Sequence, residues 1–83
     1  MSYEIRLSKP AKKFLASQPQ FQQKRILKAL LGLPFEGDMK KMVGPWTNRY
    51  RLRIGDYRAI YERHDETVTI LVLEIGNRED IYK

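Results

Sequence analysis

The stretch YRLRIGDYRAIYE, residues 50–62, sets two alternating segments on either side of Gly55 and Asp56. Two such runs joined by two turn residues leave the chain little choice but a β-hairpin of fixed register. Glycine in the first turn position favours a II′-type loop. The ladder then pairs Ile54 with Tyr57, Arg53 with Arg58, Leu52 with Ala59 and Arg51 with Ile60. Side chains alternate along a strand, so Leu52, Ile54, Tyr57 and Ala59 share one face and Arg51, Arg53 and Arg58 share the other.

Like charges directly opposite each other across a ladder destabilise it by some tenths of a kcal/mol. A sequence that keeps such a pair either solvates the charges or holds an anion between them. One reading is an exposed charged face, with arginine stems lying over Ile60 and Leu71. The other is a phosphate cradle, because guanidinium groups are permanently charged, forked donors matched to phosphate oxygens. The charge distribution bears on this choice. The net charge is +6, and residues 40–63 alone carry +5 while residues 64–83 carry −3. A polyanion is therefore the expected class of partner.

The remaining sequence frames the hairpin. Tyr3–Leu7 alternates as a short strand, Ser8 can cap a helix, and Pro10 belongs in that helix's first turn. Ala11, Phe14 and Leu15 form its apolar stripe. Ser17-Gln18-Pro19 breaks it, and a second helix starts near Gln20. Its stripe of Ile26, Leu27, Leu30, Leu31 and Leu33 is expected to face a core, and Gly32, Pro34 and Gly37-Asp38 close it. Strands follow at Arg49–Ile54 and Tyr57–Arg63, then a turn at Asp65-Glu66. Thr67–Ile75 is apolar on both faces, as a central strand should be. The expectation is a single α+β domain over residues 1–83, ordered β-α-α-β-β-β, with a helical hairpin on one face of a mostly antiparallel sheet.

The 83 residues include no cysteine, so disulfides and thiolate metal sites are excluded, in keeping with a reducing cytoplasm. No apolar run approaches the ~20 residues needed to span a bilayer, and no signal-peptide pattern opens the chain. No Gly-rich phosphate loop, helical zinc motif or Ser-His-Asp arrangement can be built, so neither cofactor nor metal is expected. His64, the one histidine, falls beside a turn at the far end of the hairpin from Arg53 and Arg58, with nothing nearby to orient it. Trp46 reads as a loop or core anchor, or as a platform for stacking a base. Asp56 and Glu62 are spaced as hairpin residues rather than as a paired acid and base. Lys40, Lys41 and Arg49 extend the basic tract.

The motifs YRLRIGDYRAIYE and GNREDIY (76–82), with the opening YEIRLSKPAKKFL, resemble the RelE/ParE superfamily of type II toxins over nearly the whole chain. The resemblance implies a RelE-like fold and a ribosome-dependent mRNA endonuclease that needs no metal, acts in the cytoplasm and is neutralised by an acidic, RelB-like antitoxin. By motif, it places the catalytic cluster at Arg51, Arg53, Arg58, Arg78 and Tyr82. The basic tract and the stacking reading add Lys40, Lys41, Arg49 and Trp46 as candidate RNA contacts. Arg58 and Arg78 would clamp phosphate, and Tyr82 would stack on a base. The chain departs from the well-studied pattern at Arg51 and Arg53, where that form has lysines. Arginine does not give up its proton near neutral pH, so the general base is left unassigned. Two other readings stay open: a ParE-like poison of DNA gyrase, which shares the fold, and a nucleic-acid binder without catalysis.

Overall fold

The computed structural model describes residues 2–77. Its elements are β1 (Glu4–Leu7), α1 (Lys9–Ser17), α2 (Gln20–Leu31), β2 (Asp38–Lys41), β3 (Arg49–Ile54), β4 (Tyr57–His64) and β5 (Thr69–Asn77). The five strands form one sheet in the order β1-β5-β4-β3-β2, with β1 parallel to β5 and the other pairs antiparallel. The α+β architecture agrees with the sequence reading. One strand, β2, was not anticipated.

β2 has the sequence DMKK and lies at the edge of the sheet, paired only with β3. Four residues with one apolar member give no periodic signal, and Gly37-Asp38 read naturally as a turn. Pairing with β3 imposes the strand, and edge strands tolerate such short, charged sequences. β1 and β4 each differ from the expectation by one residue at one end, and β5 starts at Thr69 rather than Thr67 and runs on to Asn77. Val68 adopts φ +50°, which ends the preceding turn and delays the strand.

Ser8 caps α1 as expected. Its Oγ accepts from the Ala11 backbone N–H at 3.2 Å and donates to the Leu73 carbonyl at 2.6 Å, tying the helix start to β5. The α1–α2 break is held by Gln18, whose carbonyl accepts from Gln23 Nε2 at 2.9 Å and whose Oε1 accepts from Tyr57 Oη at 2.9 Å. Ala11, Ile26, Leu30 and Leu33 from the helical layer meet Leu52, Ile54, Tyr57, Ala59, Tyr61, Ile70, Val72 and Ile75 from the sheet.

Leu27 and Leu31 are 38% and 70% exposed, contrary to the expected stripe. A helix resting on a single sheet buries the narrow column Ile26–Leu30, and residues one position further on turn about 100° away from it. Phe21 and Phe35 are also exposed.

The four expected hairpin pairs, from Arg51↔Ile60 to Ile54↔Tyr57, are all present, and the ladder continues through Tyr50↔Tyr61 to Arg49↔Glu62. Gly55 has φ +57°, the left-handed region, and a Cβ there would meet the Arg25 guanidinium reaching over from α2. Gly55→Ala is therefore expected to cost about 1–2 kcal/mol, because a left-handed backbone disfavours a side chain. Chemical denaturation should also show Gly55→Asn losing less, since Asn tolerates this region. Equal loss in the two variants would mean that steric conflict with Arg25, rather than backbone angle, sets the cost.

Candidate nucleic-acid interface

The sheet has one face under the helices and one without them. Leu52, Ile54, Tyr57 and Ala59 are buried on the helical side, each between 0% and 7% exposed. Burying such a side chain is worth roughly 1.5–3 kcal/mol for the larger ones, against a few tenths for opposing two like charges across the ladder. The apolar set therefore decides the register, and the arginines must follow onto the opposite face.

There Arg53 stands directly opposite Arg58. On the other side of β3, Lys40 pairs with Arg51 and Asp38 with Arg53, so β2 adds two charged side chains to the same face. Asp38, Lys40, Arg51, Arg53 and Arg58 together line a cleft of about 230 Å³. Arg53 and Lys40 are exposed and Arg51 is half-buried. Arg58 is only 3% exposed although it lies on the uncovered face. It sits mid-sheet between Arg53 on β3 and Gly76 on β5.

The cleft thus brings together four of the basic residues singled out in the sequence and one acid that was not. Asp38 was read as a turn residue because β2 itself was missed. Once β2 is paired with β3, alternation places Asp38 and Lys40 on the arginine face. The same alternation sends Lys41, opposite the half-buried Tyr50, to the other side of the sheet. Arg78 and Tyr82 lie outside the described residues.

A second polar cluster lies further along the same face. Arg49 Nη2 donates to Glu62 Oε2 at 2.9 Å, and His64 Nε2 lies 2.9 Å from Glu62 Oε1. The Arg49 guanidinium also rests over the Trp46 ring, 4.8 Å from its centroid. Trp46 is 37% exposed in the β2–β3 loop, so it is not a core anchor. His64 is indeed remote from the cleft: six residues of strand separate it from Arg58, roughly 20 Å. It is not unoriented, however, because Glu62 holds its ring.

Glu62 has its carboxyl held below the usual carboxylate range, chiefly by the hydrogen bond from Arg49 and then by that from His64. Tyr61, on the helical side, has its hydroxyl pushed up to about 12 by burial and by the neighbouring Tyr50. The two rings stack with centroids 5.5 Å apart, and Tyr61 Oη donates to Met39 Sδ at 3.4 Å. This contact fastens β2 to the core from the opposite side of the sheet to the cleft. Among the described residues no cluster of three or more His, Cys, Asp or Glu is arranged to hold a metal ion, and no helix is long and apolar enough to cross a membrane.

A family model described as the ParE toxin of a type II toxin–antitoxin system, parDE, matches residues 5–82. Toxin RelG of Mycobacterium tuberculosis is 32% identical over 91 residues, covering 100% of this chain and 99% of RelG. The chain belongs to the RelE/ParE superfamily of type II toxins. Among solved structures, the archaeal RelE–RelB complex from Pyrococcus horikoshii is similar at TM-score 0.75 and 28% identity, covering 94% of this chain and 97% of that one. The RelBE2 toxin–antitoxin complex of M. tuberculosis shares the fold at TM-score 0.80 and 22% identity, with 94% and 93% covered. The isolated Escherichia coli RelE toxin does so at 0.76 and 22%, with 98% and 92% covered.

The Arg49–Glu62–His64 group is expected to be structural. Because Glu62's folded pKa is lowered, its stabilising effect is complete above its unfolded value and is lost as pH falls through the folded one. Glu62→Gln should therefore cost about 1 kcal/mol at pH 7, and the difference should vanish at pH values below the folded pKa. Urea unfolding of both proteins across the acidic range measures this.

Proposed function

We propose that this toxin is an endoribonuclease that cleaves mRNA in the ribosomal A site. The carrying observation is the cleft in which Arg51, Arg53, Arg58 and Lys40 converge on the uncovered face of the sheet. Strand scission proceeds by attack of a ribose 2′-hydroxyl on the adjacent phosphate. The arginines bind the non-bridging oxygens and stabilise the extra charge of the pentacoordinate phosphorane, a role for preorganised donors in a site that need not reorganise. Arg58 serves best as the fixed clamp, because burial on a central strand limits its freedom. Arg51 and Arg53 face the incoming chain. By family motif, Arg78 adds a second clamp and Tyr82 stacks on the displaced base.

The partner is an acidic, RelB-like antitoxin segment that orders on the toxin and neutralises the arginine face. The solved relatives from P. horikoshii and M. tuberculosis are toxin–antitoxin complexes, which supports this assignment. The ribosome and its mRNA are the target, and the site of action is the cytoplasm. A ParE-like poison of DNA gyrase is the alternative within the superfamily, whose ParE toxin model matches residues 5–82. It gives the arginine cleft no task.

A ribosome-bound mRNA cut by wild-type protein should yield a 5′ fragment ending in a 2′,3′-cyclic phosphate, with or without chelator at a magnesium level that preserves the ribosome. A 2′-deoxy nucleotide on the 5′ side of the cut should abolish cleavage, since it removes the nucleophile. Arg58→Ala should slow it by about 10²–10³-fold, judged from the loss of single donors at other electrostatic sites. Arg58→Lys, which keeps the stem and charge but not the fork, separates clamping from packing. Normal cleavage of the 2′-deoxy substrate would replace this route with attack by water.

A further inference from the structure

The cleft contains more than fixed positive charge. Three of its five lining side chains are arginines, which donate hydrogen bonds and do not exchange a proton near neutral pH. The other two, Asp38 and Lys40, both come from β2. Among the described residues that line the cleft, Asp38 alone can accept a proton as a carboxylate. It stands opposite Arg53, yet it enters none of the ion pairs among the described residues. The charged groups around it are Lys40 on its own strand, Arg51 and Arg53 on β3, and Arg58 on β4. Among the other carboxylates of the described residues, Glu62 is engaged by Arg49 and His64, and Asp56 is in the turn. Glu74 on β5, opposite Ile60 of β4, shares the face but does not line the cleft.

Resting on the endonuclease reading above, we propose that β2 supplies the proton-transfer pair of the cleft, with Asp38 as general base and Lys40 as general acid. In-line displacement needs a proton acceptor at the attacking oxygen and a donor at the leaving oxygen, on opposite sides of phosphorus. Residues two apart on a strand point to one face with about 6.6 Å between them. That is a backbone spacing, from which the short Asp38 side chain and the long Lys40 stem can diverge to reach the two reacting oxygens of one phosphate bound beside them. The arginines of β3 and β4 then hold the non-bridging oxygens from beside.

The step balances as follows in atoms and charge. Asp38 takes the 2′-hydroxyl proton while O2′ bonds to phosphorus. The bond from phosphorus to O5′ breaks, and the Lys40 ammonium gives its proton to O5′. The products are a 2′,3′-cyclic phosphate and a 5′-hydroxyl. Asp38 then releases its proton to water and Lys40 recovers one, so the pair resets without a metal or co-reactant.

This assignment gives the edge strand the proton transfers that the arginines of β3 and β4 do not perform. The Asp38 and Lys40 side chains are both exposed, so their replacement leaves the core untouched.

The test uses full-length toxin and ribosome-bound mRNA with either a normal linkage or a bridging 5′-sulfur at the cut. Asp38→Asn and Lys40→Met should each cleave the normal linkage about 10²–10⁴-fold more slowly, with unchanged melting temperatures. A thiolate leaves without protonation, so the sulfur substrate should restore Lys40→Met to near the wild-type rate and leave Asp38→Asn slow. Wild-type cleavage with full activity in Asp38→Asn overturns the base assignment alone. Slow Lys40→Met cleavage of both substrates overturns the acid assignment, leaving that residue as a charge. Absence of any wild-type cleavage overturns the endonuclease reading and this pair with it.

Discussion

Everything at the uncovered face depends on the two-residue turn at Gly55-Asp56. With Gly55 in the left-handed region, the ladder can close only with Ile54 opposite Tyr57, and each later pair follows. A one-residue slip would bury the arginines and expose Leu52, at a cost of several kcal/mol in lost apolar burial. The core on one face thus holds a repulsive arrangement in place on the other. The Arg53–Arg58 pair is a consequence of that constraint, and an anionic ligand would relieve it.

The sheet order gives this constraint its reach. Because β4 is central, Arg58 is buried and directed, while Arg53 stays exposed at the neighbouring strand. Because β2 is the edge, its backbone is paired on one side only, and its alternate side chains are delivered to the cleft by β3. Met39 anchors β2 from behind, against Leu52 in the ladder and beneath the Tyr61 hydroxyl. The edge strand therefore has one face fastened to the core and the other turned to the cleft.

Much of this was legible in the sequence, for physical reasons that differ by element. The hairpin had both a turn signal and a period-two pattern, so its register and the faces of Leu52 and Arg53 could be derived. The Arg49–Glu62 pair follows by counting five residues back along the same ladder, and His64 lies two residues from Glu62 on that face. The signal was present and its consequence for His64 was missed. β2 had no such signal, because DMKK becomes a strand only through its neighbour. Asp38 was hidden with it. Leu27 and Leu31 were misplaced because a column of leucines is wider than the strip one sheet can cover. The irregularity between Ile60 and Tyr61, which shifts the β4–β5 register, has no mark in either strand's composition.

The central claim is that this charged face acts on RNA within the ribosome. Its most direct test is to map the 5′ ends of an mRNA during translation in a purified system, with and without the toxin. The account predicts new ends inside the A-site codon, dependent on translation and suppressed by a cognate acidic antitoxin. Intact mRNA alongside toxin-dependent linearisation of supercoiled DNA by gyrase would contradict it.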